Sequence, residues 1–316
     1  MIVGVPNYKQ LHDTAVGWMN LAWEITTKEL DDFHEAFTVF MMIEEERGSE
    51  KADAEAEKFW TAAQYKLNNA TSLLQQSLEI FLKARIAEVS PFLLIVGEPQ
   101  SWPRPEPSGD VDFSNFRTLD AVQLCRAVKI VSATPIPDAF IDFYDRLRRV
   151  RNKISHLNSG SIKAEASAIL LDILMAHKFL FPDEAWVKFR RRYLDSTGQY
   201  SDPEGLYGED DYTNDCIAGE IETVLHELEP KYAKLFFQFD PKKDALRCPT
   251  CLKLRTGWTD REWSFAQKQR GGKIKCAACL SVYTVQEYKN KIREYFGYLD
   301  KAEQKEIGEE LDRELP

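Results

Sequence analysis

The chain has 316 residues, with 41 Lys+Arg against 51 Asp+Glu and a formal charge of −10. Its 44% hydrophobic and 12% aromatic content is that of an ordinary globular protein, which excludes collagen-like, low-complexity and wholly disordered classes. The length suits two domains of about 100–200 residues, or one with an appendage, and an acidic total argues at first sight against phosphate-rich partners.

In chain order, residues 12–48 carry apolar side chains at helical spacing, Val16, Met19 and Trp23 and then Phe33, Phe37, Phe40 and Met41. A Gly- and Pro-free run from Asp53 to Ser90 follows, with Leu74, Leu78, Phe81, Leu82 and Ile86 in its apolar stripe. Pro91 ends it, and prolines 99, 103, 105 and 107 predict a long loop over about 91–116. Helical periodicity returns at 118–130 and at 137–154, where Pro137 suits a helix start. The almost continuously apolar 162–181 predicts the buried centre of a bundle. A Gly-, Asp- and Tyr-rich loop over 198–214 precedes a helix at 216–238. Alternation at Lys273–Lys275 and Val282–Val285 predicts short strands, and 286–314 a charged helix. No leader segment is visible. The most apolar stretch, Ala166 to Ala176, contains Asp172 and falls far short of the roughly 20 residues that cross a bilayer. A cytoplasmic protein with no membrane partner is expected.

Four of the six cysteines form two pairs, Cys248-Pro-Thr-Cys251 and Cys276-Ala-Ala-Cys279, with 24 residues between them. Two residues between cysteines let one tight turn aim both thiolates at a single ion, and two such turns complete a closed tetrahedral shell. The pattern resembles a zinc ribbon and predicts one structural Zn²⁺ per chain, since four protein thiolates leave no open position for a reactant. Neither pair follows the βαβ pattern of a redox C-x-x-C motif.

Charge is unevenly distributed. Residues 242–295 hold thirteen Lys/Arg against five acids, a net +8, while 24–57 is net −9 and 202–230 has ten acids and no Lys or Arg. A basic module of this kind suits a nucleic-acid partner despite the acidic total. Its aromatics, Trp258, Trp263 and Phe265, are expected to fill the small core of the module rather than stack on bases.

The densest chemistry lies in Asp142-Phe-Tyr-Asp145-Arg-Leu-Arg148-Arg149-Val-Arg151-Asn152-Lys-Ile-Ser-His156. In a helix, Arg148, Asn152 and His156 share an i, i+4, i+8 stripe and Arg149 lies close to it. Guanidiniums that bind phosphate bidentately, beside an imidazole that titrates near neutrality, suit a phosphodiester. Asp145 is placed to pair with Arg149 at i, i+4.

Arg151-Asn152-x-x-x-His156 resembles the R-N-x-x-x-H signature of the HEPN-domain ribonucleases. The context is similar too: an apolar helix upstream at 76–89, the motif at a helix end, then the buried helix at 162–181. The resemblance covers roughly residues 55–182. It implies a HEPN-like helical bundle there and does not account for residues 1–50, the proline-rich segment or the ribbon; taken with the helical periodicity and the two cysteine pairs, the expected fold is mainly α, a HEPN-like helical bundle with additional helices and a small C-terminal β zinc-ribbon module. The expected organisation is an N-terminal helical extension at 1–50, the HEPN-like domain at 51–197, an acidic loop and helix at 198–241, the ribbon at 242–286 and a C-terminal helix at 287–316. The resemblance further implies metal-independent cleavage of RNA by 2′-OH attack. His156 would be the acid/base, Arg151 the stabiliser of phosphorane charge and Asn152 the positioning residue. Arg148 and Arg149 match no position of the signature and are expected only as secondary phosphate contacts lining the same cleft. One His per chain implies a homodimer with a composite site. A toxin or antiviral effector held by a protein activator or antitoxin is the biological setting the resemblance carries. The alternative is a non-catalytic nucleic-acid-binding or regulatory protein built on the same bundle.

The basic run Lys188-Phe-Arg190-Arg191-Arg192 is expected to be a solvated face. His177 is expected to be a core residue, and Cys125 and Cys216 inert thiols. No P-loop, G-x-G-x-x-G, H-E-x-x-H or G-x-S-x-G is present in the sequence, so nucleotide hydrolysis and metalloprotease chemistry lack their usual anchors.

Overall fold

The computed structural model describes residues 1–47, 49–105, 109–134, 136–156, 163–198, 209–253 and 264–315; the side chains of residues 38, 43, 46, 47, 156, 209–212 and 314 are outside the description. The chain divides into two compact units, Met1–Leu180 and Phe181–Pro316. Helices dominate both, and the second also holds a small antiparallel sheet.

The first unit is built on a long helical hairpin, α1 (Tyr8–Arg47) and α2 (Ser49–Val89). Asn7 and Gln10 start α1 by exchanging side-chain-to-backbone bonds of 2.8 and 3.3 Å, which satisfies two amides that the first turn would otherwise leave open. Ala15, Met19, Ala22, Trp23 and Leu30 bury one stripe of α1, and Leu67, Leu74, Leu78, Phe81, Leu82 and Ile86 bury the matching stripe of α2. The two helices run antiparallel. Ser77 Oγ donates to the Ala15 carbonyl at 2.7 Å, while 14 residues further along α1 Glu29 takes Lys66 Nζ at 2.5 Å. Residues 1–50 were expected to be an extension; they supply half of this hairpin.

The proline-rich segment is more ordered than a plain loop. Pro91–Leu94, Pro99–Ser101 and Phe113–Asn115 form 3₁₀ turns, in which proline is tolerated at the first position, and β2 (Val111–Asp112) pairs in parallel with β1 (Ile2–Val3). Leu94, Val111, Phe113 and Phe116 are buried, so the segment contributes to the core. Two-residue strands carry too little periodicity to be read from sequence.

Three helices complete the unit: α3 (Ala121–Val131), α4 (Asp138–His156) and α5 (Ala166–Leu180). Ile169, Leu170, Ile173, Leu174 and Ala176 make α5 the buried helix its composition predicts, and His177 is buried with them. Gln64 ties α2 to the segment before α5 by accepting from Ala164 N–H at 2.7 Å and donating to its carbonyl at 3.2 Å.

The second unit begins with α6 (Trp186–Thr197), α7 (Glu209–Glu227) and α8 (Pro230–Phe237). The single helix expected at 216–238 is two, because Pro230 opens α8 and cannot continue α7. The expected solvated face at 188–192 is also corrected. Arg190 is 1% exposed, and its Nε and Nη2 bond Glu220 at 2.7–3.2 Å. Arg191 reaches Asn214, and Arg192 pairs with Glu184 at 2.6 Å. Trp186, Phe189 and Leu194 make α6 amphipathic, and Arg190 falls on their face.

Next come α9 (Pro249–Lys253) and a three-stranded sheet of β3 (Ala266–Lys268), β4 (Lys273–Cys276) and β5 (Val282–Thr284), antiparallel in the order β3-β4-β5. The helix expected at 286–314 is α10 (Val285–Tyr295) and α11 (Lys301–Glu314). Thr284 and Glu287 form a capping box for α10, and Asp300 accepts from Ala302 and Glu303 N–H to start α11 afresh.

Candidate metal centre and basic helix end

The four predicted cysteines converge, with all four Sγ atoms within 4.8 Å of one another. Cys248 precedes Pro249, the first residue of α9, and Leu252 N–H bonds the Cys248 carbonyl at 2.9 Å, so one helical turn aims Cys248 and Cys251 together. Cys276 ends β4. The turn after it passes through Leu280 at φ 62°, and Cys279 N–H donates to Cys276 Sγ at 3.5 Å. Cys248–Cys279 and Cys251–Cys276 Sγ separations are 3.5 and 3.8 Å. A disulfide needs about 2.05 Å. A tetrahedron of thiolates about 2.3 Å from a central Zn²⁺ has edges of about 3.8 Å. The donor set therefore fits a tetrahedral metal ion.

Cys248, Cys251 and Cys276 are buried and Cys279 half-buried. Hydrogen bonding to Cys248 raises the Cys251 and Cys276 thiols above their ordinary range and lowers Cys279, with burial opposing charge on all of them. Four neighbouring sulfurs without a cation cannot all be thiolates.

Sequence reasoning missed a set of hydroxyls beside the sulfurs. Ser281 Oγ is 3.2 Å from Cys279 Sγ, Tyr283 OH is 3.7 Å from Cys248 Sγ, and Thr250 Oγ1 bridges them at 3.2 and 2.5 Å. Such polar neighbours hold first-layer ligands in place. Thr250, inside the first C-x-x-C pair, and Ser281, two residues after Cys279, were near enough in sequence to be noticed, whereas Tyr283 comes close only through β5. Phe265 is 6% exposed and belongs to the core of the module, as expected; Trp258 and Trp263 lie outside the described residues.

Part of the module's positive charge is neutralised by pairing. Lys253 reaches Glu294 at 3.0 Å, and Lys289 and Arg293 reach Asp312 of α11 at 2.8 and 3.5 Å.

The second candidate site is the C-terminal half of α4. Tyr144 is buried, with its OH on the Ala121 carbonyl at 3.1 Å, and burial pushes its ionisation above the ordinary range. Arg146 makes a two-point bond to Asp172 of α5 and lies over the Phe143 ring at 5.2 Å. These contacts fix the helix that carries the motif. Arg151 and Asn152 are half-buried neighbours, with Arg151 Nη1 donating to Asn152 Oδ1 at 3.3 Å. The helix continues unbroken through His156, whose side chain lies outside the described residues. Arg148 Nε bonds the Asp145 carboxylate at 3.3 Å, whereas Arg149 Nε takes the Asp145 carbonyl at 3.2 Å. The carboxylate therefore pairs at i+3 rather than with Arg149 at i+4. The nearby Cys125 is buried and pushed up to about 11 by that burial, which keeps it a thiol.

No protein-family model, curated protein or solved structure matches the chain. Among the described residues no helix is long and apolar enough to cross a membrane.

Proposed function

We propose that the chain is a metal-independent endoribonuclease of the HEPN type, acting as a homodimer, with a zinc-bound module that engages RNA. The observation that carries this reading is the pairing of Arg151 with Asn152 on a helix that continues one turn further to His156. In the reaction His156 takes the proton of a ribose 2′-OH as the oxygen attacks the adjacent phosphorus. Arg151 offsets the negative charge that builds on the phosphorane. The P–O5′ bond then breaks, giving a 2′,3′-cyclic phosphate, and the leaving 5′-oxygen takes a proton, supplied by the second protomer's imidazole. Asn152 holds the guanidinium in place. The Cys₄ edge lengths and donor type support Zn²⁺ as the ion, and with four thiolates in its shell it has a structural role.

Incubating wild type, Arg151→Ala and His156→Ala proteins with total and transfer RNA tests the proposal. Wild type should leave cyclic-phosphate ends, and each variant should cut at least about a hundredfold more slowly. Absence of such ends, or equal cutting by the variants, refutes it. Lys242, Lys243 and Lys268 of the cysteine module, which have no ion-pair partner among the described residues, favour a second reading, a non-catalytic RNA-binding protein, for which the same assay would find RNA bound and intact.

A further inference from the structure

The segment leading into the cysteine module is held against β3 by one buried amide. Gln267, 3% exposed, accepts from Asp240 N–H at 2.7 Å and donates to the Asp240 and Lys243 carbonyls at 2.8 and 3.1 Å. Leu246 and Ala266 exchange both backbone bonds at 2.7 and 3.0 Å, and Lys242 N–H is fixed on Asp240 Oδ1 at 3.1 Å. Beside these contacts lies an open pocket of about 400 Å³ lined by Lys242, Lys243 and Lys268, together with Asp244 and Leu315. All three lysines are exposed, and none has an ion-pair partner among the described residues, in contrast to the paired Lys253, Lys289 and Arg293. Gln267 bonds the loop that carries two of these cations, an arrangement that fixes the backbone from which their side chains extend.

We infer that this pocket is a phosphate-binding subsite for single-stranded RNA. Three lysines line the pocket with Asp244, and even with the neighbouring Asp240 carboxylate, which interacts with Lys243, the local balance is positive; Lys binds phosphate as a point charge without demanding a planar partner. Exposed Arg270 and Lys273 continue the positive charge along the β3–β4 hairpin, as a polymer of regularly spaced phosphates requires and a single small anion does not. The inference deepens the RNA reading above and does not depend on cleavage.

The test uses the full-length, metal-loaded protein and a short fluorescent 2′-O-methyl oligouridylate, which has no 2′-OH with which to be cut. Binding is measured by anisotropy across a salt series. Lys242→Gln/Lys243→Gln/Lys268→Gln should weaken binding about 50-fold near 0.15 M salt and lower the slope of log K against log salt by about 2, as expected for three lost single-strand phosphate contacts. Lys253→Gln/Lys289→Gln/Arg293→Gln removes the same charge from paired positions and should change affinity by less than about threefold. Metal content and circular dichroism check folding. If the first triple variant is misfolded, Lys268→Gln alone should still cost about fourfold.

Equal loss in both triple variants overturns the site. So does unchanged binding in the first, displacement of the RNA by equimolar uridine monophosphate or inorganic phosphate, or displacement by poly-glutamate, which would mark an acidic-protein surface. A protein that cuts RNA normally but keeps full affinity in the first variant refutes the subsite and leaves the nuclease standing. One that loses affinity in that variant but never cuts RNA does the reverse.

Discussion

Removing the metal should unfold the cysteine module, and the size of the effect follows from the sulfur positions. Thiolates 3.5–3.8 Å apart repel by about 4–5 kcal/mol per pair at an effective dielectric constant near 20. With six pairs, a fully ionised bare cluster carries a penalty of about 25 kcal/mol, so a metal-free module must reprotonate or spread apart. Structural Zn²⁺ in small Cys-rich folds contributes about 10–16 kcal/mol of apparent binding energy near neutral pH. The local apolar core, chiefly Leu252, Phe265, Ile274 and Tyr283, yields at most about 1.5–3 kcal/mol per side chain. Purified protein should therefore carry one zinc per chain by elemental analysis. Chelation, or Cys251→Ser, should abolish hydrogen-exchange protection of β3, β4 and β5. Replacement by Co²⁺ should give the visible absorption of a tetrahedral thiolate site. Stoichiometric absence of metal from a protein whose strands stay protected would refute the reasoning, as would full protection after complete chelation.

Other perturbations test the packing. Glu220→Gln should destabilise the second unit by about 3–5 kcal/mol in urea melts, because it strips the carboxylate from a guanidinium that is 1% exposed. Arg190→Met combined with Glu220→Leu should recover most of that loss, since apolar replacement of a buried pair is often neutral. Burial raises the Asp172 carboxyl above its ordinary range, with Arg146 opposing the rise. The folded state then holds that proton more tightly than the unfolded chain, so this group favours folding most below the ordinary carboxylate range and loses that contribution as pH rises through the raised value. Asp172→Asn should accordingly remove this group's share of the fall in Tm as pH rises above the ordinary carboxylate range. Glu287 is lowered by the Thr284 backbone bond and Asp312 by Lys289. Their contributions exist above the ordinary carboxylate range and vanish as pH falls through the depressed values, so acid titration should fray α10 before α2 loses helicity. Leu78→Ala in the hairpin core should cost about 2–5 kcal/mol.

Much of the architecture was legible because it rests on periodicity and punctuation. The stripe from Leu74 to Ile86 and the stop at Pro91 define α2, and the two C-x-x-C pairs define the sulfur cluster. What sequence reasoning missed depends on contacts distant in the chain. Arg190 reads as surface within a run of Lys and Arg, and its bonds to Glu220, thirty residues away, go with its burial. Gln267 looks like an unremarkable polar strand residue, yet it organises the loop from Asp240 to Lys243. Pro230 was overlooked inside an otherwise helical pattern, although a proline there ends one helix and begins the next. At the helix end, sequence placed Arg151 and Asn152 side by side but assigned the Asp145 carboxylate to Arg149 rather than to Arg148. Rotamer choice on a helix surface is not a property of spacing alone.

The α1–α2 hairpin also bears on the order of assembly. Its polar cross-links, Lys66 to Glu29 and Ser77 to Ala15, join residues 37 and 62 positions apart, whereas the bonds that bring in the segment before α5 span 100. Loop closure becomes more expensive with span, so the antiparallel pair can zip from its tip before α5 arrives. The buried hydroxyl and carboxylate partners also penalise a pair that has slipped by a turn, because a shifted Ser77 or Glu29 would meet apolar surface. A ribosome emitting the chain would thus release a registered template first, and the helix bearing Arg151 would settle onto it afterwards.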